Sequence, residues 1–365
     1  MKNSILLFVL SVVILNPVKA QKNLITVKSN STLVDIREDK KLLKKVWTIS
    51  PEIKPDVHQT DAKKVTFYTD IDSITAKINP KDSVFTFVIL LNGKDSAVTQ
   101  IKYQKSKLRI LKTAAKYDNT DRSYIPNFTY QSSDNPKLVT LRRELKLDSI
   151  AGEGNEISKI LNLMHWLHSL IAHDGVNGNP EVKNALNMIA VCKKEGRGLN
   201  CRGLAMVLNE CYLSLGIKSR YVTCLPKDTT DLDCHVINMV YSNDLNKWIW
   251  IDPSFDAYVI NEKGELLGIE EVRERLINGK TLILNHDANW NRKQSMTKEH
   301  YLENYMAKNL YKMETPLVSE YNTETPEKGK VIKYIQLISS VDIPIKTSYE
   351  TYFTRNPTLF WIKPE

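Results

Sequence analysis

The 365-residue sequence lacks several features that define large classes of protein. No cysteine precedes Cys192, which excludes the bacterial lipoprotein route. Beyond the first twenty residues no segment reaches the roughly 18 uninterrupted apolar residues that a membrane-spanning helix needs. No basic block alternates with aromatic residues, so a net charge of +9 does not indicate nucleic-acid binding. GxSxG, HExxH and phosphate-binding glycine loops are also absent.

The first twenty residues, MKNSILLFVLSVVILNPVKA, predict a secretory signal peptide. Lys2 gives a positive start, Ile5–Leu15 is a short apolar run, and Val18 and Ala20 supply small residues at the cleavage positions. An uncleaved N-terminal anchor is the alternative. Cleavage after Ala20 removes two lysines and lowers the net charge to +7. We therefore expect a secreted or periplasmic protein, or one at the cell surface, with no membrane span after cleavage.

The residue composition and hydrophobic pattern of the rest of the chain change twice. Residues 21–130 are dominated by β-branched and aromatic residues with turns at NPKD and NGKD, which predicts a β-rich accessory module. Residues 131–290 contain a wide apolar helical face in EISKILNLMHWLHSLIAHDG, which starts at residue 156, and continue into strands, which predicts an α+β core. Residues 291–365 are predicted to form a mixed α/β extension.

The segment GRGLNCRGLAMVLNECYLSLGIKSRYV, residues 196–222, predicts a helix that begins at a cysteine. Apolar residues recur at helical spacing over Leu204–Leu215, and Gly216 is a natural C′ residue. Cys201 then meets the free N–H groups and the positive dipole end of the helix, which favour a thiolate and can hold an oxyanion. The alternative is a structural cysteine at a helix start.

The segment HVINMVYSNDLNKWIWID predicts a hairpin of two apolar strands around a polar turn. If the turn is centred between Asn243 and Asp244, His235 lies directly opposite Asp252 on the same face of the sheet. An odd-length loop would instead place the two side chains on opposite faces. A carboxylate in this position would orient the imidazole, which could then deprotonate a thiol and protonate a leaving amine.

Together, G-x-N-C-R-x-L-A, G-I-x-x-R-Y-V, a histidine on a strand and W-x-W-I-D-P-S resemble the transglutaminase-like superfamily over residues 155–260. The resemblance implies a papain-like α+β core, acyl transfer through a thioester, and a triad of Cys201, His235 and Asp252. The flanking module and the C-terminal YETYFTRNPTLFWIKPE resemble extensions of secreted Bacteroidetes-type members.

Two further residues are predicted to contact substrate. No glutamine stands at an obvious oxyanion position upstream of Cys201, so Asn200 is the nearest side chain for that role, with a helix cap as its alternative. Trp248 and Trp250 share a face with Asp252, and we assign Trp250 to the wall of a substrate groove, with core packing as its alternative.

Two other polar clusters are weak candidates for metal binding. Three histidines and an aspartate, or three aspartates in DTTDLD, could hold a metal, but neither group has a recognised ligand spacing. These residues are His165, His168, His173 and Asp174, and Asp228, Asp231 and Asp233. We therefore predict no metal and no cofactor. The five cysteines leave at least one thiol unpaired, and the other four could form two disulfides or remain free.

These observations predict a secreted cysteine-dependent enzyme that acts on peptide or carboxamide bonds, with hydrolysis favoured over crosslinking. Its expected partner is a protein or peptide substrate, with a cell-envelope peptide or glycopeptide as one candidate. The alternative is an inactive transglutaminase-like core that serves as a binding or assembly module at the cell envelope.

Overall fold

The structure, a computed structural model, describes residues 24–342 and 349–365. The predicted signal peptide lies outside the described residues. The chain divides into two compact units, which meet in the sequence between Lys105 and Ser106. The first unit is rich in strands and the second mixes helices with sheets, which confirms the predicted α+β class with a β-rich N-terminal region.

The first unit consists of two four-stranded sheets. Its strands are β1 (Thr26–Ser29), β2 (Leu33–Glu38), β3 (Lys41–Thr48), β4 (Asp56–Thr60), β5 (Lys64–Tyr68), β6 (Ser73–Lys77), β7 (Val84–Leu91) and β8 (Asp95–Tyr103). One sheet has the order β1-β7-β8-β4 and the other β3-β2-β5-β6. Buried and less buried residues alternate along β7, where Phe87, Ile89 and Leu91 face the core, as a strand with one buried face requires.

The second unit contains the helices and the larger sheet. Its helices are α1 (Lys107–Lys112), α2 (Pro136–Glu144), α3 (Leu147–Ala151), α4 (Glu156–Leu170), α5 (Ala185–Glu195), α6 (Cys201–Ser214), α7 (Ile269–Asn278), a π-helix (Glu299–Met306), α8 (Ala307–Asn309) and α9 (Pro357–Phe360). Its strands are β9 (Thr129–Tyr130), β10 (Ser219–Leu225), β11 (His235–Ser242), β12 (Lys247–Ile251), β13 (Val259–Ile260), β14 (Ile283–Leu284), β15 (Asn289–Trp290), β16 (Gln294–Ser295), β17 (Lys312–Pro316), β18 (Val318–Ser319), β19 (Lys333–Leu337) and β20 (Glu350–Thr354).

The main sheet of this unit has six strands in the order β12-β11-β10-β17-β19-β20. Neighbouring strands are antiparallel except β19 and β20, which are parallel. Three of the six strands come from residues 291–365, so this segment is part of the core sheet, where the sequence predicted a separate extension. Residues 106–130 likewise belong to the second unit and not to the β-rich module, because α1 packs on α7 and α8. Both boundaries predicted from the sequence, at residues 130 and 290, therefore lie within the second unit.

Helix α6 lies at the centre of the second unit. It packs on β10 and β11 and on helices α2, α4 and α5, and every residue from Gly203 to Ser214 is buried. The sequence predicted the helix from one apolar face, and the structure buries the other faces as well. After α6, Gly216 adopts a φ of +77°, the left-handed conformation that glycine permits at C′. None of the described helices is long and apolar enough to cross a bilayer.

Glu210 is a buried carboxylate on α6 that joins two other segments. Its two oxygens accept hydrogen bonds from the backbone N–H groups of Ala185, at 2.7 Å, and of Asn322, at 2.8 Å. Burial raises the pKa of Glu210 to about 8, although both N–H groups favour the ionised form. The side chain therefore ties the start of α5 and the turn at Asn322 to the helix that begins at Cys201.

We expect Glu210→Gln to change how stability depends on pH. Because the pKa of Glu210 is higher in the folded state, its contribution to stability falls as pH rises from about 4.5 to about 8. Glutamine imitates the protonated side chain and does not titrate. The free energy of unfolding of Glu210→Gln relative to the wild type should therefore rise by more than about 1 kcal/mol over this range, measured by urea unfolding.

Glu181→Gln is the matched control, because Glu181 is exposed on the connection before α5. The difference in the free energy of unfolding between Glu181→Gln and the wild type should be the same at every pH. If the difference for Glu210→Gln is also the same at every pH, the raised pKa of Glu210 is contradicted.

Candidate active site

Cys201 is the first residue of α6, as the sequence predicted. Asn200 caps the helix, because its Oδ1 accepts a hydrogen bond from the Gly203 N–H at 3.1 Å. The same oxygen accepts a hydrogen bond from Nδ2 of Asn179 at 2.7 Å. A Cβ on Gly203 would lie 2.5 Å from Oδ1 of Asn179, so glycine at this position lets the loop before α5 approach the helix start. The structure thus uses the Asn200 oxygen for capping.

His235 and Asp252 form the second part of the site. Nε2 of His235 lies 2.7 Å from Oδ2 of Asp252, and both side chains are buried. The other carboxylate oxygen, Oδ1, accepts a hydrogen bond from the Ser254 N–H at 2.8 Å. Because Nε2 faces a carboxylate, it carries a proton, and Nδ1 remains as the nitrogen available for chemistry.

The strand register differs from the predicted one. Asn238 pairs with Ile251 and Met239 with Trp250, so the turn is centred one residue later than predicted and Asp252 continues the register opposite Ile237. His235 and Asp252 are therefore diagonal neighbours. The error is an even number of positions, so both side chains stay on the same face and can still form the hydrogen bond.

Asp252 has a further partner that the sequence did not indicate. The hydroxyl of Tyr301, on the π-helix, donates a hydrogen bond to Oδ2 of Asp252 at 2.5 Å. The same hydroxyl accepts a hydrogen bond from Nε1 of Trp250 at 3.2 Å, which fixes the direction in which it donates. No local pattern could have revealed Tyr301, because 49 residues separate it from Asp252.

Trp250 does not line a groove. Its side chain is fully buried in the second unit's core, and its indole N–H is used by Tyr301. The prediction of a substrate-contacting Trp250 is therefore wrong. Alternation along a strand gives the face on which a side chain lies, and that face is covered here by the π-helix.

Two aromatic rings pack against the imidazole of His235. The ring centroid of Tyr305 lies 5.2 Å from that of His235, and the centroid of Phe255 lies 5.5 Å away. His235 is only 1% exposed as a result. A low-dielectric environment of this kind strengthens the interaction of the imidazole with its charged neighbours.

The electrostatics of the site favour an ion pair. Burial raises the pKa of the Cys201 thiol, but the neighbouring imidazoles of His173 and His235 lower it more, to about 6. Burial lowers the pKa of His235, but the charge and hydrogen bond of Asp252 and the nearby Cys201 raise it to about 10. Between these pH values the resting state is a thiolate beside an imidazolium, which is the reactive form of a cysteine nucleophile.

His173 is one of the histidines that the sequence offered only as weak metal ligands. It lies between α4 and α5, forms an isolated parallel bridge with Leu199, and has an imidazole close enough to lower the pKa of the Cys201 thiol. Its Nδ1 is buried and has no hydrogen-bond partner among the described residues. The site therefore has two imidazoles beside one thiol.

Arg202 turns away from the nucleophile. Its guanidinium donates hydrogen bonds to Oε1 of Glu324 at 2.6 Å and to Oγ1 of Thr223 at 2.8 Å. The positive charge of Arg202 is thus largely offset by the charge of Glu324 and adds little to the field at Cys201.

The clusters considered for metal binding have other partners. Nδ1 of His165 lies 2.6 Å from Oδ1 of Asp256, and the ring of His168 is held between the Pro253 carbonyl and Oδ1 of Asn289. In the acidic loop, Lys308 forms ion pairs with two of the three carboxylates, those of Asp231 and Asp233. Within the described ranges, no three His, Cys, Asp or Glu side chains are grouped to hold a metal ion.

All five cysteines lie in the described part of the chain, and all five carry free thiols. Cys192, Cys211 and Cys224 are buried, while Cys201 and Cys234 are partly accessible. Burial raises the pKa of Cys234, so the two accessible thiols differ in the direction of their shifts.

Residues 143–253 match the family model described as the transglutaminase-like superfamily, and the match includes Cys201, His235 and Asp252. Among solved structures, a candidate cysteine protease from Cytophaga hutchinsonii is 21% identical, with a TM-score of 0.25 over 34% of this chain and 39% of that one. Red sea bream transglutaminase is 11% identical, with a TM-score of 0.23 over 64% of this chain and 49% of that one. The chain thus spans less than half the length of each. No curated protein sequence matches.

We expect Asp252→Asn to raise the apparent pKa of the Cys201 thiol. Without the carboxylate the imidazolium of His235 is less stable, so it stabilises the thiolate less. The pH dependence of iodoacetamide labelling at Cys201, located by mass spectrometry, should have its midpoint near pH 6 in the wild type and at least one pH unit higher in the variant.

Asp256→Asn is the control, because this carboxylate lies nearby but pairs with His165. It should leave the midpoint of Cys201 labelling where it is. Equal midpoints in Asp252→Asn and the wild type would contradict the assigned role of Asp252.

Proposed function

We propose, from the transglutaminase-like domain at residues 143–253, that the protein is a cysteine-dependent acyl-transfer enzyme that cleaves peptide or carboxamide bonds through a thioester. The observation that carries this proposal is the hydrogen-bonded chain from Asp252 to His235, whose imidazole faces a thiol of lowered pKa at a helix N-terminus. Each of these three groups matches one role in nucleophilic catalysis.

In the first half-reaction Cys201 is the nucleophile. Its thiolate attacks the substrate carbonyl carbon, a C–S bond forms, and the electron pair of the carbonyl π bond moves to oxygen. When the tetrahedral intermediate collapses, the C=O bond is restored and the C–N bond breaks. The imidazolium of His235 gives its proton to the departing amine or ammonia, and a thioester remains on Cys201.

In the second half-reaction the neutral imidazole of His235 takes a proton from water. The water oxygen adds to the thioester carbonyl, and collapse of this second intermediate breaks the C–S bond. The products are a carboxylic acid and the Cys201 thiolate beside the His235 imidazolium, which is the resting state. Asp252 keeps its charge throughout and orients the imidazole.

We propose water as the acceptor in preference to an amine. A calcium-dependent switch would need free carboxylates, and the acidic loop that the sequence offers has Asp231 and Asp233 paired with Lys308. We also propose that the enzyme is exported, on the strength of the first twenty residues, and that its substrates are peptides or proteins outside the cytoplasm, with cell-envelope peptides among them.

The proposal predicts that amide cleavage depends on Cys201 and His235. With a panel of fluorogenic peptidyl amides and glutamine-containing casein, followed by release of dye or ammonia, Cys201→Ala should abolish turnover. His235→Ala should lower kcat/KM by about 10²- to 10⁴-fold, because the proton transfers lose their carrier. Monodansylcadaverine added as an acyl acceptor should be incorporated more slowly than glutamate is formed by hydrolysis.

Cys234→Ala is the matched control, because it removes the other partly accessible thiol. It should keep activity within about threefold of the wild type. Amide cleavage that survives in Cys201→Ala would refute the cysteine-dependent mechanism, and faster amine incorporation than glutamate formation would make the protein a crosslinking enzyme. Intact folding with no acylation of Cys201 by any probe would favour the binding or assembly module.

A further inference from the structure

We infer that His173 is the side-chain donor that stabilises the oxyanion formed when Cys201 attacks a carbonyl group. The inference rests on the proposed function and adds a catalytic residue to it. Neither the sequence pattern nor the family match singles out this histidine. The side chain of Asn200, which the sequence suggested for this role, is held at the start of α6 by the hydrogen bonds that its oxygen accepts from the Gly203 N–H and from Nδ2 of Asn179.

The surroundings of His173 suit a hydrogen-bond donor better than a base. His173 bridges Leu199, two residues before Cys201, and its imidazole is close enough to lower the pKa of the Cys201 thiol. No carboxylate among the described residues forms an ion pair or hydrogen bond with its ring. His235, in contrast, is held by Asp252 and supplies the proton transfers. A second base beside the same sulfur would be redundant, whereas a second N–H donor has a partner as soon as an oxyanion forms there.

The buried Nδ1 of His173 supports this role. A buried ring nitrogen without a partner is uncommon, because leaving such a group unsatisfied destabilises the folded protein. The cost is acceptable if the ring gains a partner during the reaction. A reaction is accelerated by interactions with the enzyme that are stronger in the transition state than in the ground state.

The backbone of His173 is fixed on both sides by Asn291. The His173 N–H donates to Oδ1 of Asn291 at 2.6 Å, and Nδ2 of Asn291 donates to the His173 carbonyl at 2.9 Å. Asn291 itself adopts a φ of +53° in the turn between β15 and β16. One side chain from a distant hairpin thus holds the peptide groups on either side of His173.

A second set of contacts joins this segment to the cysteine loop. The Asp174 N–H donates to the Leu199 carbonyl at 2.8 Å, and the Leu199 N–H donates to the Ala172 carbonyl at 3.2 Å. The approach is possible because residue 198 is glycine. A Cβ on Gly198 would lie 2.2 Å from the Ala172 carbonyl oxygen, a distance that real side chains do not adopt. These contacts set the position of the His173 ring relative to Cys201.

In the proposed step the Cys201 thiolate forms a bond to the carbonyl carbon, and the displaced π pair resides on oxygen. The ring N–H of His173 donates a hydrogen bond to this oxygen from one side. The backbone N–H of Cys201, at the first position of α6, has no acceptor within the helix and donates from the other side. No proton leaves His173, and the hydrogen bonds are released when the C=O bond is restored.

The test compares a reaction that forms an oxyanion with one that does not. Acylation of Cys201 by p-nitrophenyl acetate passes through a tetrahedral oxyanion and expels p-nitrophenolate, which needs no acid. Alkylation by iodoacetamide forms a C–S bond and breaks a C–I bond at a saturated carbon. Because His173 lowers the pKa of the Cys201 thiol, both rates are measured at a pH where the labelling profile has reached its plateau in the wild type and in each variant.

We expect His173→Phe to slow acylation by at least about tenfold while alkylation of Cys201 stays within about threefold. His173→Gln, which keeps an N–H donor, should recover part of the acylation rate. The alkylation rate reports an intact site in the same sample, so a merely structural loss would lower both rates together and would overturn the inference.

Gly198→Ala tests the same inference without removing the imidazole. The added Cβ forces the Ala172 carbonyl and the segment that follows it away from the cysteine loop, so acylation should again fall more than alkylation. Gly178→Ala is the matched control, because a Cβ at Gly178 meets nothing within 4 Å and this residue has no positive φ. It should leave both rates unchanged.

Each outcome separates this inference from the proposed function. If the wild type is acylated, Cys201→Ala is not, and His173→Phe is acylated as fast as the wild type, then His173 is not the donor and the enzyme proposal stands. If the wild type shows no acylation that depends on Cys201, both proposals are overturned.

Discussion

The candidate site depends on one buried negative charge, the carboxylate of Asp252. It is removed from water, and it accepts hydrogen bonds from the His235 ring, the Tyr301 hydroxyl and the Ser254 N–H. Burial alone would raise the pKa of Asp252, but these donors and the charge of His235 lower it. An ionised carboxylate in this position stabilises the His235 imidazolium, and the imidazolium in turn stabilises the Cys201 thiolate. Loss of any donor would leave part of a buried charge unpaired, which is costly.

The fold brings these groups together from three directions. Helix α6 supplies the thiol, the hairpin of β11 and β12 supplies the imidazole and the carboxylate, and the π-helix (Glu299–Met306) supplies the tyrosine that fixes the carboxylate. A π-helix is rare and occurs often at functional sites. Here it carries Tyr301 to Asp252 and Tyr305 to the face of His235, so one short element both orients the carboxylate and shields the imidazole from water.

The part of this site that could be predicted is the part encoded locally. A helix start at Cys201 follows from the spacing of apolar residues, and an even register error still left His235 and Asp252 on one face, because side chains alternate with a period of two. Tyr301 and His173 could not be found this way, because their contacts join segments far apart in the sequence. Trp250 was misassigned because alternation does not show what covers a face. The core sheet likewise recruits strands beyond residue 291, which no local pattern indicates.

The most direct test of the account is the ionisation of the Cys201 thiol, followed by the ultraviolet absorbance of its thiolate. The difference in absorbance between the wild type and Cys201→Ala, recorded across pH, isolates this thiol from the four others. The account predicts a transition centred near pH 6, because two imidazoles offset the cost of burial. A transition at or above the ordinary pKa of a cysteine, about 8.5, would show that no thiolate–imidazolium pair exists at rest and would contradict the central claim.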